Sequence, residues 1–539
     1  MIDRRSFIGM GSSVAGLLAT RTANVMADSA SASAAPAVVT TTAGKIRGTH
    51  ETGVYTFRGV PYGAATAGAG RFQPPRKPQP WPDIREATAL GPRSPQLLSS
   101  FHGFVPPEVE VMDRDEAMSE DCLVLNVWTP TLDRGRKLPV MVWLHGGGYT
   151  SGSGGFICYD GIQLARKHDV VVVTVNHRLT ALGYLYLAGF DSERYAASGN
   201  VGNLDIVAAL EWVRDNIAAC GGDPDSVTIF GQSGGGGKVS SLMAMPAARG
   251  LFKRAIVQSG AAVKGISRDA ATQNAEHFLA RLNLKPNQLE QLQNIPWQQL
   301  LQATEPSSGP PINFGPVVDG HSLPADPFDP VAPALSASVP LLIGTVETEV
   351  TFFPGQPLDP IDDATLHARV KQMLKSASDA DVDRVIAAYR AGRPGAANTD
   401  LYLIMASDGF RAGVLLEAER KAAQAEAAVY QYYFTWRSPV REGKLRSFHT
   451  VEIPFVFDNV DAAKSMTGSG QDRYELATRM SNAWVAFART GDPNHSGLPK
   501  WAPYDNTRRA TMIFNTQCKL VDDPHGAEQR LLWSLQTRA

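Results

Sequence analysis

The chain has 539 residues, 43% of them hydrophobic, enough to bury one large core or two ordinary ones, which excludes a small stapled scaffold. Lysine and arginine number 51 against 53 aspartate and glutamate, a formal net charge of −2, so there is no basic excess to neutralise a nucleic-acid backbone and no nucleic-acid partner is expected. The 49 glycines and 36 prolines follow no repeat and suit a loop-rich globular enzyme; four cysteines are too few for a disulfide framework.

The first element is an address. Arg4-Arg5 precedes a modestly apolar stretch, interrupted by Gly and Ser, that runs to Thr20 and closes at Arg21. This reads as a Tat-type export signal over residues 1–27, cleaved after Ala27, with the Tat machinery as a transient partner and a periplasmic or secreted mature protein. The apolar run is shorter than the ~18–20 residues needed to span a bilayer, so no permanent membrane anchor is expected. Residues 28–37 are small-sided and low in complexity, a flexible lead-in. Residues 38–539 carry no internal repeat or long linker and are expected to form a single domain.

Within that domain, unbroken apolar runs at 139–144, 170–175, 227–230 and 340–343 read as strands covered on both faces. Residues 204–213 read as an amphipathic helix, with Leu210, Trp212 and Val213 among its apolar positions. Strand, helix, strand implies a parallel α/β sheet. Residues 429–434 and 511–514 read as further strands, and the helical patterns over 262–310 and 355–425 suit insertions that cap the sheet.

Two motifs carry chemistry. The strand at 227–230 runs into Gly231-Gln232-Ser233-Gly234-Gly235, a G-x-S-x-G pattern in the strand–turn–helix setting that lifts a nucleophilic serine above a sheet. The strand at 139–144 runs into His145-Gly146-Gly147-Gly148, a side-chain-free backbone able to turn N–H groups toward an alkoxide. Gly147, Gly148 and Gly234 are the expected oxyanion donors, supported by Gly146. Both motifs, in this order and each after a buried strand, point to nucleophilic acyl transfer. No His-x-x-x-His spacing or comparable ligand cluster occurs, so neither a metal nor a cofactor is expected.

Further segments surround these motifs: Phe57-Arg58-Gly59-Val60-Pro61-Tyr62-Gly63, Arg71-Phe72, Ser119-Glu120-Asp121-Cys122-Leu123-Val124-Leu125-Asn126-Val127-Trp128, Gly199-Asn200-Val201-Gly202-Asn203-Leu204-Asp205, and Gly221-Gly222-Asp223-Pro224. With them the chain, over residues 38–520, resembles the type-B carboxylesterase/cholinesterase-like family, in particular its bacterial para-nitrobenzyl-esterase-like members. The resemblance implies an α/β-hydrolase fold, a large mostly parallel central sheet with helices on both faces and helical cap insertions. It also implies a Ser-Glu-His triad acting through an acyl-enzyme. The family's acid falls in a Gly-Thr-x-x-x-Glu stretch, here Gly344-Thr345 to Glu349, with Glu347 as competitor. Its base falls in the run 447–457, at His449; His367 lies in a helical pattern, and His495 and His525 in polar turns. Ser259 matches a family serine that hydrogen-bonds near the triad.

The implied function is a serine carboxylic-ester hydrolase acting on small to medium apolar or aromatic esters, with water as second substrate. An amidase, carbamate hydrolase or lactonase would use the same triad. An inactive cholinesterase-like binding module would lack a triad member, and this chain keeps all three. Departures from the family are also legible. Ser94 replaces the disulfide partner of Cys122, so Cys122, Cys158, Cys220 and Cys518 are expected as unpaired thiols. Gln232 replaces a common glutamate, and Lys238 stands where small residues usually begin the nucleophile helix, either reaching a carboxylate or snorkelling to solvent. Residues 97–118 hold Phe101 and Phe104 but no tryptophan, which argues against choline esters. Tyr149, Phe156, Phe314, Phe352 and Phe353 are candidates for an apolar pocket.

Overall fold

Branched apolar runs that cannot face water on either side are gathered here into one sheet. The computed structural model describes residues 37–306 and 309–536; the stretch expected to be an export signal and nearly all of the expected lead-in lie outside the described residues. In chain order the strands are β1 (Ala37–Thr40), β2 (Lys45–Glu51), β3 (Val54–Pro61), β4 (Arg85–Glu86), β5 (Val124–Thr129), β6 (Leu138–Leu144), β7 (Val171–Val175), β8 (Gly222–Gln232), β9 (Arg254–Gln258), β10 (Leu341–Val346), β11 (Val429–Phe434), β12 (Ala510–Phe514) and β13 (Lys519–Asp522). Their spatial order is β1-β2-β3-β5-β7-β6-β8-β9-β10-β11-β12-β13, with β4 paired to β2. Every pairing from β7 to β12 is parallel, while β1-β2-β3-β5-β7 and β12-β13 are antiparallel.

Alternation along β6 shows how two cores are built on one sheet. Val140, Val142 and Leu144 join one cluster with Leu210 and Val239, whereas Met141 and Trp143 join the other with Leu164, Met480 and Trp484. Helices Val201–Asn216 and Gly234–Ala244 cover the first face; Ile162–His168 and Asp472–Thr490 cover the second. This double cover is why the central strands read as continuous apolar runs. The capping segments have small cores of their own, one around Phe278 and Leu300, another around Leu366, Val382 and Ile404.

One expectation fails. The helix Val201–Asn216 is not amphipathic in use: Asn203 and Asp205 are as buried as Leu210 and Val213. Asp205 accepts from Nε, Nη2 and the backbone N–H of the fully buried Arg178, at 2.8, 2.6 and 3.0 Å. Asp205, a polar position that an amphipathic helix would turn to water, serves a buried ion pair whose partner lies on the loop after β7, and Asn203 accepts from the Tyr184 hydroxyl at 2.9 Å.

The topology fixes where a site must form. β6 pairs with both β7 and β8, so the chain leaving β6 goes to one side and the chain leaving β8 to the other. At such a switch point the loops diverge and leave a crevice above the carboxyl ends of the strands. His145–Gly148 and Ser233 are those loops. Among the described residues no helix is long and apolar enough to cross a membrane.

Candidate active site

Ser233 links β8 to the helix Gly234–Ala244 with φ 58° and ψ −127°, a strained conformation for a residue with a side chain. Its N–H donates to the Gln258 carbonyl at 2.8 Å, and its own carbonyl accepts from Gly237 N–H at 3.1 Å, so both ends of the turn are tied down. The flanking glycines are steric requirements. A Cβ on Gly235 would stand 2.0 Å from the Leu144 carbonyl oxygen, and one on Gly234 would stand 2.3 Å from that of Gly148. The second approach brings the start of the helix against the His145–Gly148 loop, where Gly147 and Gly148 adopt φ of +84° and +59°. The Gly147, Gly148 and Gly234 backbones thus surround Ser233, at the positive end of a helix dipole. Gly146 packs beneath them, a Cβ there lying 3.4 Å from Ser233 Cβ.

Glu349 and His449 reach this point from the carboxyl ends of β10 and β11. Glu349 is wholly buried; its Oε1 accepts from Val346 N–H at 3.0 Å and its Oε2 makes a short contact with His449 Nδ1. The two loops are stitched together by Thr348 N–H donating to the Ser447 carbonyl at 3.0 Å. Glu347, two residues earlier, turns away and pairs with Arg437 at 3.0 Å. The imidazole of His449 is walled by Phe352, Phe353 and Phe410, with ring centres 5.3, 5.7 and 5.4 Å away. Gln232 Nε2 lies 3.3 and 3.2 Å from its two ring nitrogens. Ser233 Oγ has no hydrogen-bond partner among the described residues. The three other histidines weighed as the base stand elsewhere: His367 beside Asp383, His495 against the Arg479 carbonyl, His525 beside Glu528.

Two cavities meet at Ser233. The first, of about 480 Å³, is walled by Phe101, Phe104, Phe156, Tyr159, Phe352 and Phe353, and contains His449 on its border. Among the described residues no lysine, arginine, aspartate or glutamate lines it. The second, of about 590 Å³, has small walls at Ala261, Ala262, Gly409 and Gly413, with Tyr149 and Phe314 at its sides. Its one charged wall residue, Lys264, is held by Asp329 at 3.0 Å.

Two sequence readings change here, and one residue was missed. Ser259 borders the second cavity, but its buried Oγ makes no hydrogen bond, so the expected bond beside the triad is absent. Lys238 neither meets a carboxylate nor reaches water: it is 0% exposed and its Nζ donates to the His145 carbonyl at 2.9 Å. Phe410 comes from the middle of the helix Asn398–Ala422, far along the chain and without a motif to announce it. All four cysteines are free; Ser94 hydrogen-bonds the buried Cys122 thiol where the family pairing would lie, and burial pushes that thiol up to about 12. Among the described residues no group of three or more His, Cys, Asp or Glu is disposed to hold a metal ion.

Comparison with known proteins places the chain in a family. The model of the carboxylesterase family matches residues 35–533. The para-nitrobenzyl esterase of Bacillus subtilis is 35% identical over 507 residues, covering 92% of this chain and 98% of that protein. The phenmedipham hydrolase of Pseudarthrobacter oxydans is 35% identical over 88% of this chain and 94% of its own. Among solved structures, a carboxylesterase of Geobacillus stearothermophilus superposes with a TM-score of 0.78 at 37% identity, covering 92% of this chain and 100% of that one. An esterase of Clostridium hathewayi, described as hydrolysing aliphatic aromatic polyesters, gives 0.80 at 35% identity, covering 92% and 98%. The chain belongs to the carboxylesterase family and is a carboxylic ester hydrolase with the α/β-hydrolase fold.

Proposed function

We propose that Ser233, His449 and Glu349 hydrolyse esters with an aromatic or apolar alcohol part through an acyl-enzyme. His449 takes the Ser233 proton as Oγ attacks the ester carbonyl; Glu349 holds Nδ1–H, fixing the tautomer and stabilising the charged ring. The carbonyl oxygen becomes an alkoxide among the N–H groups of Gly147, Gly148 and Gly234. When the tetrahedral intermediate collapses, His449 returns the proton to the departing alcohol, and water then repeats the sequence on the acyl group. The observation that carries this reading is the Glu349–His449 contact on the border of a cavity also lined by a serine set on a strained turn.

The same step assigns the cavities. The alcohol must leave on the side of the proton donor, and His449 borders the first cavity, not the second. The aromatic, uncharged first cavity therefore takes the alcohol part, and the second takes the acyl chain. Ser233→Ala is expected to lose at least ~10⁴-fold in kcat while remaining folded. Retained turnover, or failure of an organophosphate to label Ser233 in the native protein, would refute the assignment. We further propose export of the folded protein through the twin arginine; replacing Arg4 and Arg5 by Lys should trap activity in the cytoplasm.

A further inference from the structure

The steps above make no use of the cation buried beside them. Lys238 occupies the second turn of the helix that Ser233 initiates, is 0% exposed, and donates from Nζ to the His145 carbonyl at 2.9 Å. Its Nζ also stands 5.5 Å from the centre of the Tyr149 ring. The groups that face it supply no counter-charge. From the β6 and β7 loops come the rings of His145 and His177, stacked at 4.8 Å. From the loop after Gly148 comes the Tyr149 phenol, which hydrogen-bonds Ser241. The buried carboxylate that touches this helix, Glu417, accepts from Ser240 at 3.0 and 2.9 Å. Residues 238 and 240 point about 200° apart on a helix, so Glu417 addresses the opposite side.

A buried cation without a carboxylate is costly, and a methionine of similar length would fill the space without that cost. The ammonium brings a charge-assisted hydrogen bond to one backbone carbonyl. That carbonyl belongs to the residue immediately before Gly146-Gly147-Gly148, a segment with no side chains of its own and two residues at positive φ, held on its far side where the Gly147 carbonyl accepts from Thr150 and Ser151 N–H at 3.2 and 3.0 Å. We propose that Lys238 is a positioning residue for the oxyanion hole, holding the His145 carbonyl from below so that the Gly147 and Gly148 N–H groups stay aimed at the alkoxide formed on Ser233. This rests on the reading of Ser233 as nucleophile. Burial lowers the ammonium to about 7, so its charge is present at acid pH and lost as pH rises through neutrality.

The test compares wild type, Lys238→Met and Lys238→Gln, using p-nitrophenyl acetate and a trifluoromethyl ketone that Ser233 captures as a hemiketal alkoxide. In Lys238→Met, kcat should fall about tenfold to a hundredfold with KM within about twofold, and ketone affinity should weaken by the same factor. Lys238→Gln, an uncharged donor, should fall between. Wild-type ketone affinity should decline as pH rises through about 7, and Lys238→Met should lack that limb. Should Lys238→Met fail to fold, the glutamine variant and the wild-type limb decide. A folded Lys238→Met with unchanged kcat and ketone affinity, a rise in KM alone, or a wild-type profile without the limb would overturn the proposal. Organophosphate labelling separates the two readings: an unlabelled Ser233 in wild type sinks the nucleophile, whereas normal labelling with an indifferent Lys238→Met sinks only the positioning role.

Discussion

The two cavities that meet at Ser233 differ less in volume, about 480 against 590 Å³, than in what their walls are made of. The first is walled by aromatic rings that brace one another: Phe101 meets Phe156 edge-on at 5.2 Å, and Phe156 stacks on Tyr159 at 5.4 Å. The second has Tyr149, Phe314 and Phe410 at its sides but opens against glycine and alanine on one long helix and the loop after β9, where missing side chains leave room. On the proposed assignment, selectivity in the first rests on attraction between rings and in the second on room, so the alcohol would be constrained by chemistry and the acyl group by length.

That contrast can be broken from either side. The largest effect is expected from filling the second cavity. A Cβ on Gly413 meets only Ala261, at 3.8 Å or more, so Gly413→Phe has space to fold and should then occupy the acyl side. We expect kcat/KM for p-nitrophenyl hexanoate to drop by about a hundredfold while the acetate ester changes within about threefold, read from initial rates across an acyl-length series. Equal loss at every length would show that the second cavity does not hold the acyl chain.

A smaller effect should follow from opening the first cavity. Phe156→Ala removes one ring from the stack, and an aryl ester should lose about tenfold in kcat/KM relative to the ethyl ester of the same acid. The smallest effect concerns the helix that supplies the second cavity's wall. It also carries Glu417, whose carboxyl burial pushes up to about 8 from an ordinary 4.5. Because the folded value is the higher one, the neutral acid stabilises the fold at low pH, and that contribution is lost as pH rises from about 5 through about 8. Glu417→Gln should match wild type in thermal unfolding at pH 5 and exceed it by about 2 °C at pH 8.5. A constant difference across pH would mean the carboxyl is not buried as an acid.

Much of this arrangement was legible in the chain, because its key parts are local. The glycines around Ser233 and after His145 are needed where backbones approach within van der Waals distance, and such needs are met by residues adjacent in sequence. Glu349 and His449 could be placed only through resemblance to the family, since their meeting depends on β10 and β11 lying side by side. What escaped was set by neighbours distant in the chain. Asp205 looks like part of a wet face until Arg178 is seen beside it, and Phe410 is one apolar residue among many until its helix crosses His449. Lys238 escaped for the same reason, since nothing in its local sequence says that its partner is a carbonyl.

The pairing of β11 with β12 has a consequence for how the protein comes into being. β12 lies at residues 510–514, more than fifty residues after His449, yet it runs parallel to β11 with Phe434 opposite Phe514, and Thr435 N–H donates to the Phe514 carbonyl at 2.9 Å. During synthesis Ser233, Glu349 and His449 all emerge while the edge of β11 beside the base loop is still uncovered. A nascent chain thus holds all three residues proposed for catalysis before it possesses the strand that steadies them, and meanwhile exposes a bare strand edge able to pair with another chain. The hydrolase should consequently switch on late and abruptly in translation, and a messenger truncated just short of that strand should yield aggregate, not a weak enzyme.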